Sequence, residues 1–140
     1  MNNIFTIEKV LDFCDYPQVI LGYDRFDTQY LCVLYEDAPA CRYSAVKISA
    51  DRFASFYHGE IDLRTIFINP ESEGDYYDVC QTNDGFEIIK YTGDTLPEER
   101  LPLEGYFHNA KDNEVLKVSV PKSERSLFFQ LMHRHGWVAL

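Results

Sequence analysis

Tyr76-Tyr77-Asp78-Val79-Cys80-Gln81-Thr82-Asn83-Asp84-Gly85-Phe86-Glu87-Ile88-Ile89-Lys90-Tyr91 sets two runs of β-branched and aromatic residues on either side of Asn-Asp-Gly. Such side chains fit a pleated, half-buried surface. An Asp-Gly dipeptide supplies the positive φ angles of a tight hairpin turn. The stretch predicts antiparallel strands over 76–82 and 86–91, joined at Asp84-Gly85, and makes β-sheet the frame of the fold.

Towards the N-terminus, residues 19–23 and 30–35 are again β-branched and aromatic, and the polar residues 24–28 separate them. That pattern predicts a second hairpin. Ala38-Pro39 ends its second strand, and residues 42–48 alternate well enough for a further one. Three helices are predicted in this half. Residues 7–13 have Thr6 as a cap, Glu8 in the first turn, Ile7, Val10 and Leu11 on one face, and Pro17 as the stop. Ser49 caps the second, with Asp51 in its first turn. Its apolar face is Phe53, Phe56 and Tyr57, and Gly59 takes the left-handed C-terminal position. Asp62 caps a third, which buries Leu63, Ile66 and Phe67 and ends at Asn69-Pro70.

Towards the C-terminus, residues 92–100 read as loop and residues 103–107 and 115–120 as strands. Ser123 opens a last helix with a core stripe of Leu127, Phe128, Leu131 and Met132. The whole predicts one α+β domain over residues 1–140: a curved antiparallel sheet with helices packed on one face and a C-terminal helix.

Hydrophobic residues make up 46% of the 140 and aromatics 15%, enough for a real core. The first residues lack a basic head and a long apolar run, and no stretch is apolar enough to span a bilayer. A cytoplasmic setting is expected. The formal charge of −10 is uneven: Glu60 to Glu99 hold eleven acids against two bases, whereas Lys122 to Leu140 carry +2. Phosphate backbones repel such a chain, so nucleic acid is not an expected partner. An acidic surface suits solubility or a basic partner.

The patterns that carry chemistry are weak. His133 and His135 stand two apart, and on a helix i and i+2 point to nearly opposite sides; they complement the helix dipole instead. Glu71, Glu73, Asp75 and Asp78 surround Gly74, but Tyr76 and Tyr77 interrupt the ligand positions of a calcium loop. Cys80 with His108 is a conceivable nucleophile and base, and nothing local supports the pairing. Of the four cysteines, Cys14, Cys32 and Cys80 lie in apolar or strand-like runs and Cys41 does not. No phosphate-cradling loop, nucleophile elbow or dinucleotide fingerprint is present. No catalytic residue, cofactor or metal is expected.

The segment Ile48-Ser49…Arg52…Gly59-Glu60-Ile61-Asp62-Leu63-Arg64…Phe67…Pro70-Glu71, following Tyr30-Leu31-Cys32, resembles a family of small proteins from bacteria and their phages that is a domain of unknown function. The resemblance covers residues 11–77. It implies a bacterial, cytoplasmic setting and carries over no activity. In the residues themselves, Asp62 is read as a cap and Arg64 as the partner of Glu60 or Glu71.

Tyrosine offers apolar area and a hydrogen-bonding tip, which enriches it at interfaces. Tyr76, Tyr77 and Tyr91 lie among the acids, so Glu71, Glu73, Asp75, Tyr76, Tyr77, Tyr91 and Arg64 are the candidate partner-binding residues. Strand geometry sets Tyr76 and Tyr77 on opposite faces, so only one of the two is expected to matter. The leading expectation is a non-enzymatic interaction protein of inhibitor or immunity type, docking on a larger partner with a basic surface. A small-ligand, nucleotide-type binding module is the alternative. Self-association is compatible with either.

Overall fold

Ile7, Val10 and Phe13 recur every third residue, which mimics a helix, yet they lie on a strand. A computed structural model describes residues 3–108 and begins with β1 (Ile4–Cys14). It pairs antiparallel with β2 (Tyr16–Tyr23), and the register shifts between Ile7 and Lys9, between Val10 and Asp12, and between Asp12 and Phe13. The first two each add a residue to β1 and so reset its alternation of faces, and the third adds Gln18 to β2. A period of two thus becomes a local period of three, and Ile7, Val10 and Phe13 all pack against the same inner core. The helix expected over 7–13 is corrected on this ground. Pro17, read as its stop, pairs with Phe13 near the start of β2, where a missing N–H is tolerated.

The chain continues through β3 (Gln29–Glu36), β4 (Arg42–Lys47), α1 (Ala50–Tyr57), α2 (Leu63–Ile68), β5 (Tyr76–Thr82) and β6 (Gly85–Lys90). The six strands pair in sequence order and close into an antiparallel barrel. The closing seam is short, with Ile4 opposite Glu87 and Phe5 opposite Phe86. The expectation of an α+β domain with an open curved sheet and a helical face is therefore corrected. The described chain is mainly β, with two helices of eight and six residues. Closure removes most free edge from the sheet.

Strand alternation sorts the core into two parts. Inside the barrel lie Phe5, Ile20, Tyr30, Cys32, Cys41, Tyr43, Ala45, Val79, Phe86 and Ile88. Their neighbours Val19, Leu21, Leu31, Val46 and Tyr76 face outward and pack beneath Phe56, Leu63, Ile66, Phe67 and Leu96. The helices thus cover one sector of the barrel's outside. Ser49 caps α1 as expected, its side chain accepting from the Arg52 N–H at 3.2 Å. Asp62 stands at the N-cap of α2, and its carboxylate accepts the Thr65 hydroxyl.

The β5–β6 hairpin is present, with one change at its tip. Thr82 pairs with Gly85, so Asn83 and Asp84 form the turn. Gly85 carries the positive φ, at 144°. Residues 103–107 are not a strand. The barrel has closed without them, and their backbone turns to α2 instead, where the Leu63 N–H donates to the Tyr106 carbonyl at 2.9 Å. Cys41, just before β4, is buried, and Cys14, in a strand-like run, is exposed. The strand expected over 115–120, the C-terminal helix and the His133–His135 pair lie outside the described residues.

Candidate functional site

The residues expected to form one docking face are distributed over three places. Tyr76 faces outward from β5 under α2, is 4% exposed, and donates its hydroxyl to the Phe67 carbonyl. It is a core residue, packed in the outer cluster with Phe56, Leu63 and Phe67. Arg64 pairs with neither Glu60 nor Glu71. Its guanidinium grips Glu98 with two bonds of 2.7 and 2.8 Å and donates to the Pro102 carbonyl at 3.0 Å. It straps the 98–102 segment to α2. Glu71 accepts the Ser49 N–H at 2.7 Å and the Ser49 hydroxyl at 3.0 Å, which ties the start of α1 to the chain after α2. Glu73 is exposed.

Tyr91 belongs to a second group. The Arg100 guanidinium lies 5.2 Å from the Tyr91 ring centre and 4.6 Å from that of Tyr35. It also donates to both Asp78 carboxylate oxygens at 3.2 Å, and the Tyr35 hydroxyl donates to Asp78 at 2.9 Å. Burial and the Asp78 bond raise the Tyr35 pKa. Ser44, buried on β4, donates to the Arg100 carbonyl at 2.7 Å. This knot fastens the 91–101 segment to the barrel wall.

Asp75 and Tyr77 form a third group at one end of the barrel. Lys90 Nζ lies 2.8 Å and Lys47 Nζ 3.3 Å from the Asp75 carboxylate. Both ammonium groups stand over the Tyr77 ring, at 5.1 and 5.7 Å from its centre. Tyr77 meets Tyr30 edge-on at 5.1 Å. Burial pushes the Asp75 pKa up, but hydrogen bonds from Lys90, Tyr77 and Lys47 outweigh it and hold the carboxyl below the usual range. Asp75 therefore neutralises the two lysines of its own chain. A depressed folded-state pKa contributes stability above the unfolded value, and that stability is lost as pH falls through the folded value. Asp75→Asn is expected to cost about 2 kcal/mol at neutral pH. The deficit against the parent should shrink on acidification below about pH 4, as urea midpoints at the two pH values would show. An equal deficit at both would refute the charge assignment.

At this end the β2–β3 turn is an ordered structure built around Asp24. One Asp24 carboxylate oxygen accepts the Phe26 and Thr28 N–H groups at 2.9 and 3.0 Å, and the other accepts the Tyr30 hydroxyl at 2.8 Å. Asp27 sits at φ 64°, in the left-handed region that Asp tolerates. Phe26 at the turn's tip is 70% exposed. Beside the turn an open groove is lined by Glu8, Tyr23, Asp27, Gln29 and Ile48. Glu8 lies on β1, where the sequence predicts the first turn of a helix. The signal that marks the turn is a phenylalanine amid Asp24, Arg25 and Asp27, since a large apolar residue has no local reason to stand there.

Cys80 and His108 have different neighbours. Burial raises the Cys80 thiol pKa against the opposing pull of Arg42. His108 donates from Nδ1 to the Tyr57 carbonyl at 2.7 Å, and its ring packs 4.7 Å from that of Tyr57. Among the described residues no three His, Cys, Asp or Glu side chains gather into a metal-binding group. No family model, curated protein or solved structure matches the chain.

Proposed function

We propose that this chain is a non-enzymatic interaction protein of bacterial or phage origin. It works in the cytoplasm and docks on a larger partner with a basic surface. The observation that carries this reading is the charge of the surface. Residues 3–108 hold twenty carboxylates against eight lysines and arginines. The ion pairs among them engage Glu36, Asp75, Asp78 and Glu98, and most of the remaining acids are exposed. Such a field steers a basic partner into encounter and repels acidic competitors. The nucleotide-type reading has less support, because aromatic and aliphatic side chains fill the barrel interior where a ligand chamber would lie. No helix of the described residues is long and apolar enough to cross a membrane.

The test is affinity capture from the native host at low and at high ionic strength. The expected result is a retained protein of basic surface whose recovery falls steeply with salt, since exposed charges are screened beyond a Debye length. Retained proteins that are not basic and do not respond to salt would overturn the reading.

A further inference from the structure

We propose that the groove beside the β2–β3 turn receives a lysine or arginine side chain of the partner, with Phe26 next to it as the apolar contact. This rests on the interaction reading above and gives it a place on the molecule. The groove has the two chemistries such a side chain needs. Tyr23, half-buried, supplies apolar surface for an aliphatic stem, and Ile48, itself largely buried, lines the groove beside it. Glu8 on β1 and Asp27 on the turn supply carboxylates for the cation. The ion pairs among the described residues engage neither acid.

The site is also held in shape before anything binds. Gln29 donates to Glu8 at 3.0 Å, and the Asp27 N–H donates to the Asp24 carbonyl at 3.1 Å. Asp24 fixes the rest of the turn through its three side-chain bonds. A surface set in advance loses less conformational freedom on binding. The Arg25 guanidinium lies 4.5 Å from the Phe26 ring centre, and Phe26 remains 70% exposed. An exposed aromatic beside a carboxylate-walled groove fits a protein segment that pairs a basic residue with an apolar one.

An oligolysine peptide, with oligoglutamate as control, serves as the probe, read by amide chemical shifts of the full chain. Saturable shifts are expected at Tyr23, Asp27, Gln29 and Ile48 with oligolysine alone. Glu8→Gln and Asp27→Asn should each weaken binding roughly two- to fivefold, whereas Glu104→Gln, at an exposed acid that does not line the groove, should not. Asn accepts the left-handed backbone of position 27, so that variant should fold, and unchanged shifts in β4 and β5 would verify it. Shifts spread over other acids and insensitive to both groove variants would overturn the groove while leaving the interaction reading intact. No saturable shift with oligolysine would also overturn the groove. The host capture at two salt concentrations decides the broader reading separately.

Discussion

Phe67→Ala is expected to lower the free energy of unfolding by about 3–5 kcal/mol, the cost of deleting a fully buried aromatic ring from a core that cannot collapse around the gap. Phe67 is 0% exposed and belongs to the outer core with Leu31, Val46, Leu63, Ile66 and Leu96. Its carbonyl also accepts the Tyr76 hydroxyl, so a shift of α2 disturbs β5 as well. A helix of six residues has no independent stability in water. It is held by the side chains it buries and by the Arg64 strap to Glu98 and Pro102. Urea unfolding followed by tyrosine fluorescence and far-ultraviolet dichroism should show one transition displaced to lower denaturant. A loss below about 1 kcal/mol would mean that the helices are a passive cover, outside the cooperative unit.

Gly22→Ala is expected to cost about 3 kcal/mol, at the upper end for overpacking. A Cβ built on Gly22 would stand 2.4 Å from the Thr6 carbonyl oxygen and 2.3 Å from Cζ of Phe5. The carbonyl belongs to the β1 backbone and cannot move without pulling β1 from β2. The Phe5 ring covers the glycine and fills the barrel above it. Phe5 is also half of the two-residue seam that closes the barrel on β6. Hydrogen exchange should therefore quicken first at the β1 amides and at Phe86 and Ile88, ahead of β3 and β4. A variant with parental stability would show that the seam can slide, which the two observed pairings do not suggest.

Local chemistry in the sequence was sufficient for much of the frame. The runs around Asp24–Thr28 and Asn83-Asp84-Gly85 have too few residues between them for anything but hairpins, and both hairpins stand where read. Ser49 and Asp62 stand at the helix starts, and the buried faces Phe56 and Leu63, Ile66, Phe67 follow from helical spacing. These features depend on residues within a few positions of one another. Closure of the barrel does not. It rests on Phe5 meeting Phe86 across eighty positions, and no local preference encodes such a pairing. The strand β1 was hidden for the same reason, because two of the three irregularities in its pairing with β2 add residues to β1 and give it a helix-like spacing. The residues expected to share one docking face stand apart for a related reason. Charge along the chain says nothing of where each acid ends up, and tertiary structure placed Asp75 on two lysines, Asp78 on Arg100 and Glu98 on Arg64. It left Glu8 and Asp27, nineteen residues apart in the chain, to line one groove. Composition alone determined that this protein would be acidic, and only the packing of strands decided which acids remain available to a partner.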